Sequence, residues 1–297
     1  MQRTGAVVIL ALFAAVATLP ARATITVTDD AGKTLTLAAP AQRIVSLSPH
    51  ATELLFAAGA GDRVVGVSAF SDYPPLVRVL PQVSGGVRLD IEQVLALRPD
   101  LAVGWSSGNA SSDLDALRRH GIPVFIAEPK RLDDLPATLL SLGRVTGHEA
   151  EAQAAAEQYR ARLTTLRADY RERTPVRVFV MISAQPLMTL NHAHLLQDVL
   201  RLCGGRNIFA ARDTLAPTVS YESVLIEDPE VILFSSSLGT ESDVRDWWRD
   251  RVDLRAVREG RVYSIPADTT LRQTPRVLDG AAKVCAALDA ARPTAGR

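Results

Sequence analysis

The chain has 297 residues, 47% of them apolar and 22% charged, a balance that gives folded domains a proper core and excludes a disordered or fibrous protein. Lysine plus arginine equals aspartate plus glutamate at 33 each, so no basic field holds nucleic acid, and any partner has to be recognised by local groups. In chain order, Met1-Gln2-Arg3 leads into an apolar run from Ala6 to Ala17 and then Ala21-Arg22-Ala23. These are the charged, apolar and small-residue parts of a signal peptide over residues 1–23, which predicts an exported chain starting near Thr24. The run falls short of the ~20 residues of a spanning helix, so no membrane insertion is expected. After a hairpin-like Asp29-Asp30-Ala31-Gly32, strand and helix signals alternate. Ile44–Leu47, Thr52–Ala58, Val64–Val67, Glu92–Leu97, Leu101–Trp105, Ser112–His120 and Val124–Ala127 make a βαβ rhythm with a parallel sheet. From Ala137 the pattern is helical, and the Gly- and Pro-free stretch 149–173 predicts a rod of ~37 Å. Thr174-Pro175 breaks it, and a second α/β lobe follows from Val176.

One segment occurs twice. Leu89-Asp-Ile-Glu92-Gln-Val94-Leu95 leading through Pro99-Asp100 to Val103 is echoed by Val219-Ser-Tyr-Glu222-Ser-Val224-Leu225 leading through Pro229-Glu230 to Leu233. The copies lie 130 residues apart, too far for a solenoid, so each marks one of two similar lobes. The domain reading is therefore a first α/β lobe over 24–148, an inter-lobe helix over 149–173 and a second lobe over 174–297. In each copy a glutamate opens a short helix, where its charge suits the N-terminus, and a proline ends it. Equivalent exposed carboxylates on two lobes point to a cleft and a two-part docking surface, and so to a binding protein before an enzyme.

Cys203 and Cys285, in an exported chain, are expected to pair and tie the last helix to its lobe. Ser46 to Glu53 sits where the first strand turns into the first helix, the place where open α/β sheets bind ligands, though its Ser and Thr residues serve equally as helix caps. Tyr73 and Trp105 fall in loops rich in Pro, Gly and Ser, as cleft walls do. Asp268, Arg272 and Arg276 offer paired charges that could hold each other or a ligand's amide or phosphate groups. His50 alone, or His192-x-His194 without a third ligand, makes a poor metal site. There is no nucleophile elbow, no phosphate loop and no zinc-protease motif, so no catalytic residue, cofactor or metal is assigned.

The chain resembles the vitamin B12 (cobalamin) periplasmic binding proteins, among the helical-backbone substrate-binding proteins of ABC importers that also serve siderophores and haem. The resemblance rests on Arg43-Ile-Val-Ser-Leu-Ser-Pro-x-Ala-Thr-Glu-Leu-Leu-Phe-Ala-Ala-Gly59, Ser71-Asp-Tyr-Pro-Pro75, Glu92-x-Val-Leu-Ala-Leu-x-Pro-Asp100 and Leu202-Cys-Gly-Gly-x-Asn-Ile-Phe209. It implies two Rossmann-like lobes with mostly parallel sheets, joined by a long rigid helix, that clamp a corrinoid with no covalent chemistry. It also maps Pro49, Thr52, Tyr73 and Trp105 to one side of the pocket, and Asp268, Arg272 and Arg276 to the other. Glu92 and Glu222 are then the pair that docks onto arginines of an inner-membrane permease dimer carrying its ATPase subunits. Cys203 and Cys285 match the family's disulfide, and a periplasmic monomer is expected. The chain departs from the pattern at Gly85-Gly86, Ala216 and Thr269-Thr270, where the family has aromatics, which keeps a haem or ferric siderophore ligand as the alternative.

Overall fold

The computed structural model describes residues 24–86 and 88–292; the expected signal peptide, 1–23, and the last positions, 293–297, lie outside the described residues. The chain opens with a hairpin, β1 Ile25–Thr28 and β2 Thr34–Leu37. Asp29 shapes its turn, accepting hydrogen bonds from the backbone N–H groups of Ala31 (3.0 Å) and Lys33 (2.7 Å), and Gly32 takes the φ of 75° that the turn requires.

The first lobe runs through β3 Ile44–Ser46, α1 Pro49–Ala57, β4 Val64–Val67, α2 Ile91–Ala96, β5 Leu101–Gly104, α3 Ser111–Arg119, β6 Val124–Ile126 and α4 Leu135–Thr146. Then come α5 Glu149–Tyr170 and the second lobe: β7 Val176–Met181, β8 Ser183–Ala184, β9 Leu187–Met188, α6 Leu196–Leu202, β10 Gly205–Asn207 and α7 Tyr221–Glu227. It continues with β11 Val231–Ser235, α8 Glu241–Trp248, α9 Arg255–Arg258, β12 Val262–Ile265, α10 Ala267–Thr270 and α11 Val277–Ala291. Both four-stranded sheets are parallel throughout, ordered β4-β3-β5-β6 and β10-β7-β11-β12. The predicted α/β architecture is present, the strand over 64–67 falls where the sequence puts it, and the second lobe opens at Val176 as expected. The sequence reading has no counterpart for β8, β9 and β10, which are two or three residues long and too short to show alternation.

Strand alternation explains the layers. In β7 and β11, Val178, Val180, Val231 and Leu233 point into one core while Phe179, Met181, Ile232 and Phe234 point into another, and in β3 Ile44 and Val45 divide the same way. The inner core is continuous: residues of both sheets join Ala152, Tyr159 and Leu163 of α5 in a single cluster. On α5 the buried residues Ala152, Ala156, Tyr159 and Leu163 recur at helical spacing and form one stripe. Gly143 lets α4 approach closely, since a Cβ there would stand 2.3 Å from the Ala152 Cβ. The helix ends three residues before the predicted limit of 173, ahead of Pro175, which disfavours helix in the residue before it. Arg162 pairs with Asp279 of α11 (2.5 Å) and Arg167 with Asp133 of the first lobe (2.8 Å), so α5 is tied to both lobes. Cys203, at the end of α6, and Cys285, in α11, form a disulfide with their Cα atoms 4.7 Å apart. No described helix is long and apolar enough to cross a membrane.

Candidate binding cleft

A cavity of about 300 Å³ lies between the lobes. Ser106, Ser107, Glu128, Pro129 and Lys130 line it from the loops after β5 and β6, and Ala193, His194, Leu195, Leu215 and Gln273 line it from the second lobe. The C-terminal ends of parallel strands are where this class of sheet binds ligands.

The first-lobe wall grows from the end of β3. Ser48 caps α1 by accepting from the Ala51 N–H (3.2 Å), and Pro49 occupies the first helical turn, half-buried. His50, next to it, is buried with its ring edge against Trp105, centroids 5.1 Å apart, and donates from Nε2 to the Ala127 carbonyl (3.0 Å). Burial pulls its pKa down to about 4, so it is neutral at pH 7. The Trp105 backbone N–H donates to Asn109 Oδ1 (2.8 Å), Asn109 donates to the Leu47 carbonyl (2.9 Å), and the indole N–H donates to Glu128 Oε1 (3.1 Å). Glu128 Oε2 accepts from the Ser106 hydroxyl and the Ser107 N–H. Burial opposes ionisation of Glu128, but the bonds from Ser106, Ser107 and Trp105 outweigh it and hold the carboxyl below its ordinary pKa. The N-terminal hairpin braces this wall, since Asp30 Oδ2 accepts from the Glu128 N–H (2.7 Å) and from Thr138.

Thr52, expected at the pocket, is fully buried beneath it: its hydroxyl donates to Ser46 Oγ (2.8 Å) and lies 3.1 Å from Ser71 Oγ. Tyr73, Asp268, Arg272 and Arg276 do converge, through a carboxylate the sequence reading did not single out. Glu53 of α1, 3% exposed, accepts from Arg272 Nη1 (2.9 Å) and lies 3.1 Å from Arg276 Nη1. Arg272 also binds Asp72 (2.7 Å), Asp268 (2.9 Å) and the Phe70 carbonyl (3.4 Å), and the Arg276 guanidinium stacks on the Tyr73 ring at 3.9 Å. Two guanidiniums from the second lobe therefore face three carboxylates, two of them from the first lobe. Beside this bridge a second cavity of about 360 Å³ is lined by Glu53, Phe56, Ala57, Tyr73, Pro74, Pro275 and Arg276. Phe70 is 77% exposed and holds a φ of 64°, a conformation that bulky residues rarely adopt.

His194, read from the sequence as half of a poor metal site, reaches the cavity. Its Nδ1 accepts from the Leu196 N–H (3.1 Å), and burial lowers its pKa to about 4. His192 donates instead to the Ala210 carbonyl, and no described group of three His, Cys, Asp or Glu side chains is arranged to hold a metal. A Cβ at Gly85 or Gly86 would meet nothing within 4 Å, so space is open there. Glu92 and Glu222 stand exposed in the first turns of α2 and α7, capped by Asp90 and Ser220.

Residues 44–269 match the family described as periplasmic binding protein. The vitamin B12-binding protein of Vibrio cholerae is 38% identical over 253 residues, 85% of this chain and 91% of that protein. The structure of the periplasmic vitamin B12 binding protein BtuF of Vibrio cholerae superposes with a TM-score of 0.79 at 39% identity, covering 85% of this chain and 98% of that one. The periplasmic heme-binding protein RhuT of Roseiflexus sp. RS-1 is more distant, at 27% identity and a TM-score of 0.75 over 84% of this chain and 99% of that one. These relatives are binding proteins, not enzymes, and the chain belongs to the periplasmic binding protein family.

Proposed function

We propose that the chain captures cobalamin, or a closely related corrinoid, in the cleft between its lobes and delivers it to the permease of an ABC importer. The observation that carries this reading is the charge state of the cleft. Arg272 and Arg276 are already met by Glu53, Asp72 and Asp268, which suits a neutral, amide-edged macrocycle. Haem, with its two propionates, or a trianionic ferric tris-catecholate needs uncompensated cations. Arg88 is bound in both forks by Asp113 (2.7 and 3.1 Å), and Arg206 is exposed on β10, so neither supplies one to the cleft. The names of the V. cholerae relatives point the same way.

In this reading Pro49, Tyr73, Trp105, Asp268, Arg272 and Arg276 meet the ligand, and Thr52 supports them from below. Glu92 and Glu222 dock one on each permease subunit. The protein works in the periplasm as a monomer, after removal of residues 1–23. Calorimetric titration of residues 24–297 with cyanocobalamin, haem and a ferric hydroxamate tests it. One-to-one binding of cyanocobalamin alone is the expected result. Binding of haem or the hydroxamate without cyanocobalamin overturns it.

A further inference from the structure

The cavity next to Trp105 contains a charge that the reading above does not use. Glu128 is the one carboxylate among the residues lining it, and it is 8% exposed. Its two oxygens are held by donors from a single short loop: Trp105 Nε1 on Oε1, and the Ser106 hydroxyl and Ser107 N–H on Oε2. The Ser107 side chain also hydrogen-bonds the carboxylate, so a ligand's donor would join a group already held by neutral donors and by no cation. The position is fixed from behind as well, because the Glu128 backbone N–H is bound by Asp30 and the Trp105 backbone by Asn109. No cation in this set pairs with the carboxylate. Lys130 also lines the cavity, but it is exposed at the rim, where water and salt screen an ammonium far more than they screen a buried carboxylate.

We propose that Glu128 is a specificity-determining residue that selects a ligand edged with amides over one edged with carboxylates. This rests on the corrinoid reading and deepens it. A cavity of about 300 Å³ takes one edge of a macrocycle, not the whole. An amide NH₂ brought there donates to Glu128. A carboxylate at the same place sets two negative charges together in a site partly shielded from water, with no proton to share at neutral pH. Arg272 and Arg276 give no relief, since Glu53, Asp72 and Asp268 neutralise them. Gln273 and His194, neutral groups on the facing wall, can hydrogen-bond an amide edge without favouring an anion.

The test compares ligands that differ by one group: cyanocobalamin and its monocarboxylic acids, each with one side-chain amide hydrolysed, titrated at pH 7.5 into wild type and Glu128→Gln. Wild type is expected to bind at least one monocarboxylate isomer about tenfold or more weakly than cyanocobalamin. Glu128→Gln is expected to close that gap to within about threefold, with the cyanocobalamin Kd itself weakened by loss of the charged acceptor. The wild-type isomer series stands without the variant, and an equal melting temperature shows that the variant is folded. Equal affinity of wild type for every isomer overturns the proposal, as does an undiminished gap in Glu128→Gln. If cyanocobalamin binds in either case, the corrinoid reading survives the failure of the Glu128 assignment. If a monocarboxylate binds wild type and cyanocobalamin does not, the Glu128 assignment falls while the corrinoid reading stands; if no corrinoid binds, both fall.

Discussion

Arg43 in the first lobe and Arg177 in the second hold matching places. Arg43 donates from Nε and Nη2 to the Leu97 carbonyl at the end of α2 (3.0 and 2.7 Å), and Arg177 donates from Nη2 to the Glu227 and Asp228 carbonyls at the end of α7. Their backbone N–H groups bind Asp100 and Glu230, the acidic residues that follow the two prolines (both 2.9 Å). Val94 and Val224 are both fully buried, and Arg98 and Asp228, each before a proline, both sit at positive φ, 48° and 35°. The facing walls of the cleft share none of this. One is an aromatic and carboxylate loop set on a buried histidine; the other is a pair of arginines in the turn between α10 and α11. The difference separates two demands: a partner that meets both lobes alike preserves the duplication, whereas a ligand with two unlike edges removes it.

The largest expected effect breaks the matched half. Reversing Glu92 and Glu222 together to Arg is expected to abolish cobalamin uptake in cells and leave the Kd of the purified protein unchanged. A weaker Kd would place these groups in the ligand site instead. Next is a feature found in the second lobe alone, the disulfide. With its cysteines 82 positions apart in sequence, chain entropy assigns it roughly 4.5 kcal/mol. Cys203→Ser with Cys285→Ser should lower the denaturant midpoint accordingly, and an unchanged midpoint refutes this. The unmatched cleft wall then gives a pH signature. His50 has a folded pKa of about 4 against an ordinary 6.5, so it binds its proton more readily unfolded. Its contribution is complete above pH 6.5 and is lost as the pH falls toward 4, by up to about 3 kcal/mol. His50→Gln should remove about half of the loss over that window, since His194 carries a similar shift. Trp105→Ala, on the same wall, should weaken cyanocobalamin binding by ~1–3 kcal/mol, measured by calorimetry. The smallest effect sharpens the match between copies. Arg98→Gly relieves a left-handed residue and should raise stability by up to ~1 kcal/mol, whereas Asp228→Gly should gain less, because aspartate tolerates that conformation better.

The duplicated outer helices were legible because their signals are local: a capping residue, a glutamate, an apolar Val-Leu pair, and a proline at fixed spacing. Strand positions were legible for the same reason. Glu53 and Glu128 were not, because a carboxylate becomes part of a site through partners far away in sequence. Glu53 meets Arg272, 219 residues on, and only the fold brings them together. Glu128 carried a usable hint, as the residue just past β6, where parallel strands end at their ligands. Thr52 shows the limit from the other side. A hydroxyl in the first turns of a helix looks available, but the three serines Ser46, Ser48 and Ser71 surround it and take up its hydrogen bonds.

The core that runs unbroken from the first sheet past α5 into the second has a consequence for how the protein comes apart. Apolar side chains of both sheets are removed from water by one cluster, so opening either lobe alone would expose the inner face of the other. Thermal unfolding should follow as a single cooperative transition, with the calorimetric and van't Hoff enthalpies equal, despite two sheets of separate hydrogen bonding. A fragment that stops after α5 inherits half of that interior as a sticky surface, and is expected to aggregate rather than fold as half a receptor.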